Sequence, residues 1–214
     1  MPVTDAEKTS KNRGARSQGR PRSEASRASI LATVLDLLSR KSLREISIEE
    51  VAKESGVAKT TVYRWWDTKA QLAIDAFLND ISLKAPFTEK ETVIETIRSQ
   101  VRSLAFQYKG RDGEIIRQII AECQGNAKDL AMFRERFLTI RRGAAIETLQ
   151  RARDEGLLKT DITDDTLIDL IYGPIYYRLM LQHATIDDEF VDSILGFFFD
   201  GTAFALEGNT DEPA

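Results

Sequence analysis

The stretch from Ser47 to Lys69, SIEEVAKESGVAKTTVYRWWDTK, constrains this chain more than any other, because its punctuation forces two short helices joined by a tight turn. Ser47 with Glu50 three residues later fits a capping box, in which the Ser side chain accepts from a first-turn N–H and the Glu side chain reaches back. Ile48, Val51 and Ala52 then form the inward face. Ser55-Gly56 supplies the stop, since glycine enters the left-handed conformation without a Cβ penalty. A second helix is predicted from Ala58 to about Trp66. Residues turn by about 100° each in a helix, so Ala58, Val62 and Trp66 share one side, and Thr60 and Arg64 lie opposite, flanked by Thr61 and Tyr63.

The outer side of that second helix carries hydroxyls and a guanidinium, which suits DNA. Arg bonds bidentately to guanine, Thr hydrogen-bonds several bases or touches a thymine methyl, and Tyr and Lys contact phosphates. The candidate contacts are Ser47, Lys59, Thr60, Thr61, Tyr63, Arg64, Trp65 and Lys69. The last begins a third helix, where its charge and any free N–H groups could face the DNA backbone. A surface helix pair with a merely solvated polar face is the competing reading.

A net charge of −4 argues against binding polyanions until its distribution is considered. Lys11, Arg13, Arg16, Arg20 and Arg22 fall in a segment without acids, whereas acids dominate later, as in Asp164-Asp165 and Asp187-Asp188-Glu189. The basic end adjoins the helix pair, the footprint expected when one part of a protein touches nucleic acid. Residues 1–22 have almost no large apolar side chains and read as a disordered basic arm able to enter a minor groove or track phosphates. Arg20 and Arg22, nearest the fold, are its candidate contacts. A solubilising tail is the alternative.

Residues 27–77 resemble the DNA-binding domain of the TetR family of transcriptional regulators. Tyr63, Trp66, Lys69 and Leu72 stand where that family has Tyr, an aromatic, Lys and Leu, and Val51-Ala52 and Ser55-Gly56-Val57 match its earlier part. Ser42-Leu43 replaces the usual Gly and aromatic, Ala58 a common capping Ser, and Thr60 a common Gly. The missing cap leaves the reading helix less well satisfied by about 1 kcal/mol.

The remainder reads as helical throughout. The first helix is expected from about Glu24 to Arg40 on the stripe Ile30, Leu31, Val34, Leu35 and Leu38. Ala85-Pro86 ends a connecting helix, 69–83. Further helices are expected at about 89–109, 114–124, 127–155, 163–183 and 187–206, with Pro174 kinking its helix. The fold class is therefore all-α: a three-helix helix-turn-helix domain (23–84), a larger helical bundle (88–207) and a tail (208–214). The last two helices are apolar on nearly every side, which implies a partner chain packing there, with ordinary monomer core as the alternative. Ile175, Leu179, Ile194, Phe197, Phe198 and Phe204 are the candidate dimer contacts. The family resemblance also implies a dimer built from these helices.

No apolar run nears the roughly 20 residues needed to cross a bilayer, so a cytoplasmic protein without membrane association is expected. Cys123 is the single cysteine, which excludes intrachain disulfides and cysteine-rich zinc sites and reads as a small buried residue. No metal-ligand spacing, phosphate-cradling loop or nucleophile arrangement is present, so neither cofactor nor catalysis is expected. The resemblance implies a homodimeric regulator of a palindromic double-stranded operator, most simply a repressor released when a small-molecule effector enters the bundle. Phe106, Cys123, Phe133, Phe137, Tyr172 and Tyr176 are candidate pocket linings, since aromatics on facing helices make apolar walls. A constitutive DNA-binding dimer without effector is the alternative, and an all-helical enzyme or interaction module a more remote one.

Overall fold

The computed structural model describes residues 19–84 and 89–199, with side chains placed for 24–80 and 89–199. Residues 1–18 of the basic arm, the predicted boundary at 85–88, Phe204 and the tail lie outside the described residues. Among the described residues the architecture is all-α, with ten helices and one π-helical turn.

The helix-turn-helix pair sits in a frame of longer helices. The helix α1 (Gly19–Arg40) begins five residues before the predicted start, so Arg20 and Arg22 belong to a helical backbone rather than to the arm. Its inward side chains Ile30, Leu31, Val34, Leu37 and Leu38 are buried. The next two helices are α2 (Ile48–Ser55) and α3 (Lys59–Tyr63). Ser47 Oγ accepts from Glu50 N at 3.2 Å, and Gly56 takes φ +68° to end α2. The return half of the capping box is weak: the Glu50 carboxylate is held mainly by Lys41, and the Ser47 backbone adds less to lowering its pKa.

The helix α4 (Lys69–Lys84) packs on α1 on one side and on α6 and α7 on the other. It therefore belongs to the reading lobe and the bundle at once. The bundle comprises α5 (Val93–Tyr108), α6 (Arg111–Cys123), α7 (Ala127–Phe133), a π-helical turn (Arg134–Leu138), α8 (Thr139–Asp154), α9 (Asp164–Leu181) and α10 (Asp188–Phe199). Thr92, Asn126 and Thr163 cap α5, α7 and α9 with side-chain oxygens.

Two expectations shift here. The Gly110–Gly113 segment does not break the chain for four residues, because α6 absorbs Arg111-Asp112-Gly113 as its first turn. Only glycine fits there, since a Cβ at Gly113 would lie 2.2 Å from the Tyr108 carbonyl oxygen. The predicted long helix over 127–155 is realised as α7 and α8 joined through the π turn, whose wider ring re-aims the side chains that follow. The helix α9 runs through Pro174, where the Leu170 carbonyl loses its intrahelical donor.

Candidate nucleic-acid interface and effector cavity

The outer face of the reading pair is held up from beneath by two residues. Val62 and Trp66 are buried, at 0% and 3% exposure, and α3 is anchored through them. The helix is shorter than predicted: it ends at Tyr63, with Arg64 as its C-cap and Trp65 and Trp66 in the following turn. Ala58, expected inward, is exposed and caps α3 without a side-chain bond. Lys59, Thr60, Tyr63, Arg64 and Trp65 are all exposed, and Thr61 is half-buried. Ser47 is exposed beside them, its oxygen engaged by Glu50 N and its hydroxyl hydrogen still free to donate.

The charges on this face differ in availability. Lys59 is paired with Glu49 and lies 5.6 Å from the Tyr63 ring centroid. That pairing raises the Lys59 pKa and lowers that of Glu49. Arg64 has no ion-pair partner among the described residues. Lys69 departs from expectation: its ammonium turns inward, donating to the Leu43 and Arg44 carbonyls at 3.1 and 3.2 Å and lying 3.6 Å from Glu122. With three donors so engaged, Lys69 ties the loop before α2 to α4 and α6 rather than facing a phosphate.

Beneath α3 lies a buried carboxylate that the sequence reading overlooked. Asp75, at 7% exposure, accepts from Trp66 Nε1 at 2.9 Å and from Arg27 Nη2 at 3.2 Å on one oxygen. Its other oxygen accepts from Arg136 on the π turn. A second buried acid, Asp129 on α7, accepts from Thr68 Oγ1 and Gln71 Nε2 at 3.0 and 3.1 Å. The turn that follows α3 is thus hydrogen-bonded to α4 through Trp66 and to α7 through Thr68.

Arg27, Asp75 and Arg136 also line a cavity of about 1160 Å³ between α4, α5, the π turn, α8 and α9. Its apolar walls include Leu78, Leu104, Phe137, Ala145 and Ile168. Of the six predicted lining residues, Phe137, Tyr172 and Tyr176 are present. The other three are corrected. Phe106 is 76% exposed, because α5 turns Leu104, Ala105 and Tyr108 inward instead. Cys123 is fully buried elsewhere, with its thiol pushed up to about 11 by burial and by Asp129 and Glu122. Phe133 stacks behind Phe137, ring centroids 5.1 Å apart.

The dimer candidates need a similar correction. Of the five described candidates, Ile175, Leu179, Ile194 and Phe198 are buried within the protomer, and Phe197, at 67% exposure, points outward. The exposed apolar stripe on α9 is instead Leu170, Tyr177 and Leu181, spaced so that they share a face with Gly173 and Pro174.

Two family models match the chain. The model described as "Bacterial regulatory proteins, tetR family" matches residues 30–76, and "Tetracyclin repressor-like, C-terminal domain" matches residues 88–197. The chain belongs to the TetR family of transcriptional regulators. The HTH-type transcriptional regulator YdeS of Bacillus subtilis is 31% identical over 184 residues, covering 86% of this chain and 93% of YdeS. The crystal structure of the TetR family regulator SCO0332 superposes with a TM-score of 0.70 at 30% identity, covering 83% of this chain and 98% of that one. FadR of Bacillus subtilis, crystallised with stearoyl-CoA, shares the fold at a TM-score of 0.65 and 16% identity, covering 81% of this chain and 98% of FadR. As a TetR-family member the chain is a DNA-binding transcriptional regulator, as are the relatives it matches. None of the described helices is long and apolar enough to cross a membrane.

Proposed function

We propose that this TetR-family protein is a cytoplasmic homodimeric repressor that grips a palindromic operator and lets go when a small molecule fills the bundle cavity. The observation that carries this reading is the sharing of Asp75: the same carboxylate anchors Trp66 beneath the reading helix and holds Arg136 on the cavity wall. A ligand that displaces Arg136 or spreads the π turn changes the support of α3. It can shift the equilibrium only by the difference in its affinity for the DNA-competent and released arrangements, about 10⁴-fold to carry the population from 1:99 to 99:1.

Residues 23–84 act as the reading domain, with α4 as the connection, and 88–207 as the effector and dimerisation domain. Thr60, Thr61 and Arg64 read bases. Ser47, Lys59, Tyr63 and Trp65 contact the DNA backbone, with Arg20 and Arg22 near its minor groove. Leu170, Tyr177, Leu181 and Phe197 form the subunit contact. The cavity of about 1160 Å³ favours a ligand-responsive protein over a constitutive one; FadR, the neighbour solved with stearoyl-CoA, houses a large ligand in this fold. Selection of genomic fragments by the full-length protein tests the reading. Enriched fragments sharing one inverted repeat support it; fragments without a common motif contradict it.

A further inference from the structure

The polar groups of the cavity favour one ligand chemistry. Of its cations, Arg27 and Arg136 are committed to Asp75, and Arg142 to Asp165 and Asp169. Arg141 is half-buried and has no carboxylate partner among the described residues. Its guanidinium lies 4.8 Å from the Phe137 ring centroid, and its charge is felt by the buried hydroxyls of Tyr172 and Tyr176, which burial otherwise pushes up. Lys90 adds a second cation at the exposed rim. Gln100 accepts from the Tyr172 hydroxyl at 3.4 Å, and its buried Nε2 is left without an acceptor.

A buried donor without a partner is unfavourable, and a half-buried cation without a counter-charge is likewise incomplete. An anion supplies the counter-charge that Arg141 lacks, and its oxygens accept from N–H donors of the kind Gln100 offers. A cationic ligand is less well served: Asp75 and Asp169 are already paired, Glu135 on the wall is exposed to solvent, Arg141 sits over the aromatic wall, and the buried acceptor Gln107 Oε1 is neutral and takes any N–H or O–H donor.

We infer that the cavity takes a small molecule with an apolar body and one anionic group, the anion accepting from the Arg141 guanidinium with the Gln100 amide N–H as a neutral donor in the same chamber. This rests on the reading of the cavity as the effector site and names the ligand class. The aromatic and aliphatic walls cover the apolar body, and one charge-assisted contact sets the orientation.

Two dyes that differ by a single sulfonate test it: 1-anilinonaphthalene-8-sulfonate and the neutral N-phenyl-1-naphthylamine, titrated into full-length protein by fluorescence. The anionic dye should bind the tighter, and Arg141→Gln should weaken it by about tenfold, the equivalent of about 1.4 kcal/mol, while leaving the neutral dye within about twofold. Arg141→Lys, which keeps a cation, should restore part of the loss. Ser103→Trp at the exposed rim should block both dyes. Equal binding of the two dyes by the unaltered protein, or equal weakening of both by Arg141→Gln, overturns the anion assignment while leaving the cavity as a ligand site. Dye binding that survives Ser103→Trp contradicts the cavity itself and the inference with it.

Discussion

The indole N–H of Trp66 and the carboxylate of Asp75 lie 2.9 Å apart in the protein interior, joining the turn after the reading helix to the middle of α4. Removing the donor with Trp66→Phe should cost about 1.5 kcal/mol, the scale of a hydrogen bond to a charged group. Asp75→Asn keeps the shape but leaves Arg27 and Arg136 without a counter-charge. Because both guanidinium groups are partly solvated, the loss should be about 2 kcal/mol rather than the larger figure for a fully buried pair. Urea denaturation of the two single variants and the double variant checks this: the double should cost less than the sum, since the two changes break one shared bond.

Lys69 and Arg64 should separate stability from recognition. Lys69→Met removes an internal tie to Leu43, Arg44 and Glu122, so it should lower the unfolding midpoint while leaving the salt dependence of DNA binding nearly unchanged. Arg64→Ala should leave stability unchanged and relax preference at one base pair by about 1–3 kcal/mol. Binding to a set of operator variants at several salt concentrations reads both effects. A reduced salt slope for Lys69→Met would return that residue to the phosphate-contact role expected from sequence.

On α9 and α10, buried and exposed apolar residues should respond differently. Phe197→Glu places a charge on an exposed face and should yield a folded monomer by sedimentation. Ile175→Ala, at a fully buried site, should instead cost about 2–5 kcal/mol of stability without changing subunit stoichiometry. The reverse pattern would return Ile175 to the interface.

Burial raises the Cys123 thiol to about 11, above the ordinary value of about 8.5 in an unfolded chain. The folded state therefore holds its proton more tightly. This contribution to stability is fully present below about pH 8.5 and is lost as pH rises toward about 11. The urea midpoint of the wild type should fall more steeply between pH 8.5 and 10 than that of Cys123→Ala, and native protein at pH 8 should react slowly with a thiol reagent. Parallel pH profiles would contradict the burial argument.

How far the sequence carried depends on whether the deciding physics is local. Ser47, Gly56 and Thr163 act on their own backbone neighbours, and each helix end they imply is found. The faces of α1 and α2 follow from periodicity alone. The end of α3 does not, because it is decided by how Trp66 reaches Asp75 across the fold. Asp75 itself left a legible signal, a single acid within the apolar run Leu72–Phe77, but its partners on α1 and the π turn lie too far along the chain to be paired by spacing. The pocket and dimer residues failed for a related reason. A helix apolar on several sides does not state which side meets its own bundle, so residue type alone points Ile175 and Phe198 at a partner although the protomer covers them. Residue type likewise points Phe106 inward, while the turn of α5 carries it to solvent.

In the proposed dimer, two protomers present two copies of the Thr60–Arg64 face to one operator. A hydroxyl-radical footprint of the full-length protein on a selected genomic fragment, with stoichiometry measured on the same complex, tests it most directly. Two protected patches on one side of the duplex, centred about 34–36 Å or a multiple apart, with an even number of protomers bound, are the predicted result. A single patch bound by one protomer, or uniform protection without regard to sequence, would contradict it.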